Sequence, residues 1–268
     1  MKNGSVVIGK TDMYYVTFGS GKKNLVVLPG LSDGLATAKG KALLLASSYR
    51  RFFDDFRVYM FSRKNEMPEG YTIRQMAEDQ AAAMTVLGID KASVLGVSQG
   101  GMIAQYLAAD HPEMIDKLVP AVTASYANDV VKRTVASWIE MAKAGDHVSL
   151  MTDTAEKMYS KAYLDKNRKL FPILAKFTKP KSYERFFRNA YAILDFDARE
   201  DLHRISCPTL IIAGAEDNTV GRDAADELHA LIPQSRLFTY EGLGHGAFEE
   251  ARDFYDKVYE FCTAEYSR

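Results

Sequence analysis

A serine set among glycines is the first feature of this sequence that could do covalent chemistry. Ser98 is the centre of a Gly-Val-Ser-Gln-Gly motif at residues 96–100. An apolar strand-like run at 93–97 precedes the serine, and a helical pattern at 99–109 follows it. A strand-turn-helix setting exposes a serine hydroxyl on a sharp turn, where glycines let the neighbouring backbone crowd close. The alternative is a glycine-rich turn with an incidental serine, but the setting favours a nucleophile.

A serine hydroxyl needs a base to accept its proton before it attacks at neutral pH. His245 lies in a loop with glycines at 242, 244 and 246, after the last predicted strand. Such a loop is exposed and can be shaped around an imidazole that exchanges protons with the serine and the leaving group. The remaining histidines are interpreted as structural or solvated: His111, His147, His203 and His229.

The imidazole in turn needs an acid that fixes its tautomer and stabilises its cation. Asp217 follows the predicted strand 208–213, and ligand sites in open α/β sheets lie at the carboxyl ends of the strands. Glu216, Asp195 and Asp197 are rival carboxylates. An acidic residue after a strand is often only a helix N-cap, so that interpretation of Asp217 stays open.

Two backbone N–H groups are the expected oxyanion donors. One belongs to Gln99, directly after the candidate nucleophile, and the other to Leu31, in the loop after the apolar run 25–28. Removing one such donor typically costs ~3 kcal/mol of barrier. Because backbone groups do this work, the prediction concerns positions and not side chains.

Strand-like and helix-like segments alternate around these residues. Strands are predicted at 5–9, 13–18, 25–28, 57–61, 93–97, 117–122, 208–213 and 236–240, and helices at 73–87, 99–109, 222–231 and 247–264. Thr72 to Gln75 has the form of a capping box. The alternation predicts an α/β fold with a mostly parallel sheet covered on both faces.

The middle of the chain has a different composition. Between residues 102 and 213 the only glycine is Gly145, although the whole chain has 18. Residues 125–200 are also rich in aromatic side chains. We predict a helical cap, or lid, at 125–200, inserted into a core domain formed by 1–124 and 201–268. The alternative is a set of helices packed on the sheet away from any site.

Composition limits the classes of function. The 268 residues are 47% hydrophobic and 26% charged, which is typical of globular proteins. A net charge of −1 predicts neither a nucleic-acid nor a membrane partner. Cys207 and Cys262 have no metal-ligand spacing, so no metal is expected. The first residues lack the apolar stretch of a signal peptide, which makes the cytoplasm the expected location.

Taken together, these segments closely resemble the α/β-hydrolase superfamily, in its lidded serine hydrolase branch. The resemblance is carried by residues 28–30, 96–101 and 207–214 with Asp217, and by the pair Gly244-His245. The order Ser98, Asp217, His245 is also the order of that family. The resemblance implies eight strands with one antiparallel strand, a helical cap inserted after the sixth strand, and no cofactor.

Two departures from the family pattern stand out. Many members have His-Gly before the oxyanion loop, whereas this chain has Pro29-Gly30, so the usual histidine beside the donor is missing. Many also have Asp-x-Arg-Gly-x-Gly after the fourth strand, whereas residues 61–66 read Phe-Ser-Arg-Lys-Asn-Glu, and we expect an unusual pocket wall there. Serine at position 98 argues against haloalkane dehalogenases and related epoxide hydrolases, which use aspartate.

The resulting hypothesis is a serine hydrolase of carboxylesterase type. It would cleave an ester or related acyl bond of a small, apolar or aromatic substrate through an acyl-enzyme. One alternative keeps the triad but cleaves an amide, a thioester or the carbon–carbon bond of a vinylogous diketone. Another is a non-catalytic ligand-binding protein on the same fold. The pattern leaves the substrate and the oligomeric state open.

Overall fold

The structure is a computed structural model that describes residues 1–265. Its strands are β1 (Lys2–Ile8), β2 (Thr11–Phe18), β3 (Lys23–Leu28), β4 (Phe56–Lys64), β5 (Ala92–Val97), β6 (Ile115–Ala121), β7 (Thr209–Gly214) and β8 (Ser235–Tyr240). They form one sheet in the order β1-β2-β4-β3-β5-β6-β7-β8. Strand β2 runs antiparallel to both of its neighbours, β1 and β4, and the other neighbouring pairs of this described sheet are parallel. The mostly parallel eight-stranded sheet is therefore confirmed.

The helices cover both faces of the sheet. They are α1 (Ala42–Ala46), α2 (Ile73–Val86), α3 (Gln99–Asp110), α4 (Asp129–Lys143), α5 (His147–Met158), α6 (Lys161–Asn167), α7 (Phe171–Thr178), α8 (Glu184–Leu194), α9 (Ala224–Leu231), α10 (Ala247–Glu250) and α11 (Phe254–Thr263). Val26 and Val94 of the central strands pack in one cluster with residues of α2 and α3. Their neighbours Val27 and Leu95 pack in the other cluster, with α1 and α11. Alternate strand residues point to opposite faces, so a strand covered on both sides is apolar throughout.

The predicted capping box begins α2. The Thr72 side chain accepts from the backbone N–H of Gln75 at 3.2 Å, and Gln75 Oε1 accepts from the Thr72 backbone N–H at 3.0 Å. Each bond satisfies a backbone donor that the first helical turn leaves without a partner. This local prediction is confirmed because both partners lie within one turn of chain.

Helices α4 to α8 occupy the chain between β6 and β7. Three of these helices have a polar N-cap residue whose side chain accepts a backbone N–H: Asn128 before α4, Asp146 before α5 and Ser160 before α6. The two ends of this segment meet, because the Ala127 N–H donates to the Phe196 carbonyl at 2.8 Å and the Ala198 N–H to the Ser125 carbonyl at 2.9 Å. The segment thus leaves and re-enters the sheet region at one point.

The prediction of one closing helix at 247–264 is wrong in one respect, because the structure has two helices there, α10 and α11. The chain becomes extended at Ala251, with φ −75° and ψ 120°. Glu250 of α10 accepts hydrogen bonds from the backbone and hydroxyl of Ser160, whereas Phe254 of α11 is fully buried against the sheet. One straight helix could not place Glu250 at Ser160 and Phe254 against the sheet. Across residues 1–265, no helix is both long and apolar enough to cross a membrane.

Candidate active site

Ser98 occupies a strained turn between β5 and α3. Its backbone has φ 54° and ψ −119°, a left-handed conformation that residues with a Cβ seldom adopt. The glycines beside it are sterically required. A Cβ on Gly96 would lie 2.4 Å from the Gly100 carbonyl oxygen, and one on Gly100 would lie 1.9 Å from the carbonyl oxygen of Leu28. The motif therefore lets β3, β5 and α3 approach closely enough to hold the turn.

The neighbouring strand β6 stabilises this turn. The Ser98 N–H donates to the Ala121 carbonyl at 2.9 Å, and the Thr123 hydroxyl donates to the Ser98 carbonyl at 2.8 Å. Val122 lies between Ala121 and Thr123, and its φ of 45° is unusual for a β-branched residue. Sequence reasoning missed Val122 and Thr123. The only signal was their position directly after a buried strand.

His245 lies between the predicted serine and the predicted acid. Its Nε2 is 2.9 Å from Ser98 Oγ, and its Nδ1 is 2.7 Å from Asp217 Oδ2. His245 is 3% exposed, and residues 244–247 are buried, so the expectation of an exposed loop is wrong at the histidine. The loop that carries it is fixed by the bond from the Gly246 N–H to the Met158 carbonyl at 2.7 Å. These distances are hydrogen-bond distances, so the three side chains form one continuous line.

Asp217 uses its two carboxylate oxygens differently. Oδ2 faces His245, whereas Oδ1 accepts from the backbone N–H groups of Thr219 and Val220 at 2.8 and 2.9 Å. The helix N-cap interpretation is therefore wrong, since α9 begins only at Ala224, with Asp223 as its N-cap residue. Oδ1 instead holds the turn of its own loop, while Oδ2 is the partner of the imidazole. The residue is 3% exposed, so the carboxylate cannot turn away without leaving these donors unpaired.

The rival histidines and carboxylates lie elsewhere. His111 pairs with Glu78, His229 contacts Ser235, and His147 contacts Thr178. His203 lies in a short 3₁₀ turn before β7. Glu216 and Asp195 are exposed, and Asp197 binds Arg199. Among the described residues, the line from Ser98 contains only His245 and Asp217 of the predicted candidates.

The two predicted oxyanion donors belong to residues near Ser98 in the fold. Gln99 is the first residue of α3, where backbone N–H groups have no partner within the helix. Leu31 begins a short 3₁₀ turn, Leu31–Gly34, and lines the same cavity as Ser98. A Cβ on Gly30, the residue before Leu31, would lie 3.3 Å from the Cβ of Ser98. The start of the turn therefore lies so close to Ser98 that a side chain larger than that of glycine would crowd the serine.

Ser98 and His245 line a cavity of about 520 Å³. Its walls are mostly apolar. Four helices of the segment between β6 and β7 contribute to them, through Trp138 of α4, Met151 of α5, Phe171 of α7 and Phe186 of α8. A pocket of this size that is mostly apolar, with a few convergent polar groups, is typical of small-molecule sites.

One carboxylate interrupts the apolar wall. Glu249 of α10 accepts a hydrogen bond from the Tyr159 hydroxyl, and both side chains line the cavity. The Glu249 side chain is exposed and lines the cavity, and the surrounding protein reduces the hydration of its carboxylate. Burial raises the pKa of Glu249 above its usual range, Glu250 adds to the rise, and Tyr159 and His245 oppose it. Sequence reasoning missed this pair.

The prediction of an unusual pocket wall at residues 61–66 is wrong. Of the described residues, those that line the cavity include Met60 but none from 61–66. Arg63 is instead buried behind the serine turn, where its Nη2 donates to Gln99 Oε1 at 3.1 Å. Burial lowers the pKa of Arg63 to about 10, against the opposing effect of Asp33. Alternation along β4 sends this side chain to the far side of the turn.

The fold and this line of side chains together define a class. The family model described as the alpha/beta hydrolase fold matches residues 23–252. The chain belongs to the α/β-hydrolase fold family, and its coarse class is a hydrolase of that fold.

Known relatives agree with this assignment. The AB hydrolase superfamily protein YisY of Bacillus subtilis (strain 168) is 32% identical over 69% of this chain and 71% of its own length. The putative carbamate hydrolase RutD of Caulobacter sp. (strain K31) is 26% identical over 81% of this chain and 82% of its own length. Among solved structures, the α/β hydrolase MGS-M2 from a Medee basin deep-sea metagenome library has a TM-score of 0.87. It is 22% identical and covers 99% of both chains, a likeness of fold.

Proposed function

We propose that this protein is a serine hydrolase of carboxylesterase type that cleaves an acyl bond through an acyl-enzyme. The observation that carries the proposal is the continuous hydrogen-bonded line from Asp217 through His245 to Ser98, which ends at an apolar cavity. A nucleophile, a base and a group that orients the base are the parts that acyl transfer needs.

In the proposed first step, Ser98 Oγ attacks the carbonyl carbon of the substrate while His245 Nε2 takes the hydroxyl proton. Asp217 stabilises the imidazolium through Nδ1. The carbonyl oxygen becomes an oxyanion, which the N–H groups of Leu31 and Gln99 stabilise. When the tetrahedral intermediate collapses, the bond to the leaving group breaks and His245 donates its proton to that group.

The second step is the reverse with water in place of the leaving group. His245 takes a proton from water, and the hydroxide attacks the acyl carbon of the ester on Ser98. The same two N–H groups stabilise the second oxyanion. Collapse breaks the bond to Ser98 Oγ, returns the proton to the serine and releases the carboxylic acid. The cycle consumes one water and needs no cofactor or metal.

We also propose that residues 125–200 act as a cap over the cavity, inserted in a core domain of 1–124 and 201–268. Support comes from the four insert helices that contribute to the cavity wall and from the contact between the two ends of the insert. A cap of this kind excludes water from the serine and selects the acyl group.

The walls point to a small substrate with an apolar or aromatic acyl group. A cavity of about 520 Å³ admits such a molecule, and Trp138, Phe171 and Phe186 suit an apolar or aromatic group. One relative is named a putative carbamate hydrolase, and a carbamate contains a carbonyl carbon that a serine can attack. We propose a small-molecule partner and a cytoplasmic location, where the unpaired buried thiols of Cys207 and Cys262 would stay reduced.

Fluorophosphonate labelling combined with turnover of p-nitrophenyl acetate and butyrate tests the proposal. Ser98→Ala should abolish labelling and lower kcat by at least ~10³-fold, because the nucleophile is gone. Ser47→Ala, an exposed serine outside the cavity, is the matched control and should keep both. Persistent labelling or turnover in Ser98→Ala would overturn the assignment.

A further inference from the structure

Arg185 of α8 makes an unusually complete set of bonds to the core. Its Nε donates to the Asp33 carbonyl at 2.9 Å, and its Nη1 donates to the Lys64 carbonyl at 2.8 Å. Nη2 donates to Asp33 Oδ2 at 2.6 Å and to the Arg63 carbonyl at 2.8 Å. One side chain of the insert therefore bridges the turn after β3 and the end of β4.

Asp33 lies inside the turn that carries the proposed oxyanion donor Leu31. Its carboxylate is almost fully buried, and Oδ2 also accepts from the Arg63 backbone N–H at 2.9 Å. The next residue, Gly34, lies directly beneath α8, since a Cβ there would be 2.9 Å from the Cα of Phe186. The turn is thus held between the β4 end and α8, and the bond from Arg185 Nη2 to Asp33 Oδ2, at 2.6 Å, is the shortest of the polar contacts described above.

The second proposed donor is tied to the same helix. Gln99 Nε2 donates to the Asn189 carbonyl at 2.8 Å, while Gln99 Oε1 accepts from Arg63 Nη2. Asn189 lies one helical turn after Arg185, and its Nδ2 donates to the Arg185 carbonyl at 2.8 Å. Both proposed donors are therefore anchored to α8, one through Asp33 and one through Gln99.

These contacts replace a support that the family pattern would place elsewhere. The sequence has Pro29-Gly30 where many members have His-Gly, so the histidine beside the oxyanion loop is absent. One guanidinium holds both the Asp33 carboxylate, through Nη2, and the Asp33 backbone carbonyl, through Nε. This is a rigid alternative, because the planar guanidinium presents its donors in fixed directions. A buried ion pair of this kind adds little net stability, which leaves specificity of geometry as its physical effect.

We propose that Arg185 is a positioning residue, which sets the oxyanion-hole geometry from the insert by holding Asp33 and the turn of Leu31. The inference rests on the proposed function, since it needs an oxyanion at Ser98. It makes α8 part of the catalytic scaffold and not only a cover over the cavity.

Arg185→Met, Arg185→Lys and the control Arg188→Met test this role. Arg188 lies one turn away on α8, and its Nη2 is 3.7 Å from Glu184 Oε2. Arg185→Met should lower kcat on p-nitrophenyl butyrate about tenfold to a hundredfold with KM within about twofold, because misplacing a catalytic group by ~1 Å costs up to ~10²-fold. The kcat of Arg185→Lys should lie between those of Arg185→Met and the unaltered protein. The kcat of Arg188→Met should equal that of the unaltered protein.

The inhibition constant of phenylboronic acid is a quantity that a purely structural role of Arg185 would leave unchanged. Its adduct with a serine places a negatively charged oxygen where the oxyanion forms. Its inhibition constant should rise in Arg185→Met by the same factor by which kcat falls. If kcat and the inhibition constant stay unchanged while KM rises or the melting temperature falls, Arg185 only binds substrate or secures the insert, and the proposal is wrong.

Asp33→Asn provides a test if Arg185→Met does not fold. The amide keeps the shape but loses the charge, so kcat should fall in the same direction, and adding Arg185→Lys should cost less than the two single effects combined. Additive effects would contradict a role through Asp33. Activity in Ser98→Ala would refute the proposed function itself, whereas an inactive Ser98→Ala beside a fully active Arg185→Met would refute only the inference.

Discussion

Asp217 Oδ2 lies 2.7 Å from His245 Nδ1, while Asp217 Oδ1 accepts two backbone N–H groups of its own loop. The loop after β7 is thereby locked to the loop after β8. The carboxylate is fixed by donors that do not depend on the imidazole, so the imidazole takes its orientation from the carboxylate. Loss of the carboxylate charge should therefore affect the imidazole and leave the loop in place.

Asp217→Asn should lower kcat by about 10³–10⁴-fold with little change in fold, because an amide favours the wrong imidazole tautomer. Steady-state turnover of p-nitrophenyl butyrate measures the loss. Asp223→Asn, an exposed residue just before α9, is the control and should retain full activity. Near-normal turnover in Asp217→Asn would remove Asp217 from the mechanism.

Gly100→Ala should prevent the serine turn from forming, because the new Cβ would lie 1.9 Å from the Leu28 carbonyl oxygen. The strand β3 would have to move, so we expect a loss of roughly 4 kcal/mol or more in unfolding free energy. Gly9→Ala is the contrast. Gly9 has φ +63° in open space, so only the backbone penalty of about 1–2 kcal/mol applies. Denaturant unfolding and turnover distinguish the two variants.

Glu249→Gln should raise the melting temperature at neutral pH. Because burial raises the pKa of Glu249 in the folded protein, the folded state holds the proton more tightly than the unfolded chain does. Its ionisation therefore destabilises the fold as the pH rises above the usual Glu value, and glutamine removes that cost. The advantage should disappear below about pH 4, where both states are protonated.

Thermal unfolding from about pH 3 to about pH 8 measures this difference. Glu260→Gln, an exposed glutamate of α11, is the matched control and should show no pH-dependent gain. A gain in Glu249→Gln that is equal at every pH would show that the carboxylate is not penalised by burial.

Met151→Trp should narrow the cavity and shift preference toward short acyl groups. Met151 of α5 lines the cavity wall, and a larger side chain there removes space for the acyl chain. The ratio of kcat/KM for p-nitrophenyl hexanoate over acetate should fall by about 10- to 200-fold, the discrimination that an apolar pocket gains from excluding one methylene. Leu170→Trp, at a half-exposed position outside the cavity, should leave the ratio unchanged.

Much of the fold follows from local patterns that the sequence displays directly. The Thr72–Gln75 capping box depends on partners three residues apart. The turn around Ser98 depends on glycines within three residues. The apolar runs of β3 and β5 identify strands covered on both faces. Each of these signals is short-range, so the order of the residues is enough to detect it.

The break between α10 and α11 has no such signal. The helical pattern continues through Ala251, but Glu250 is held by Ser160, ninety residues earlier in the chain. Likewise, Arg63 has nothing in its neighbourhood to predict that it contacts Gln99 and not the cavity. Partners of this kind belong to different elements, and their pairing depends on how those elements pack.

The sequence by itself determined the class of the sheet, the serine turn and the order Ser98, Asp217, His245 around it. Only the tertiary structure decided that Asp33 meets Arg185, that Arg63 lies behind the serine turn, and that Glu249 faces the cavity. The physical reason is the range of the interactions. A turn or a cap is satisfied within a few residues, whereas a buried charge can find its partner anywhere in the chain that folding brings within hydrogen-bond distance.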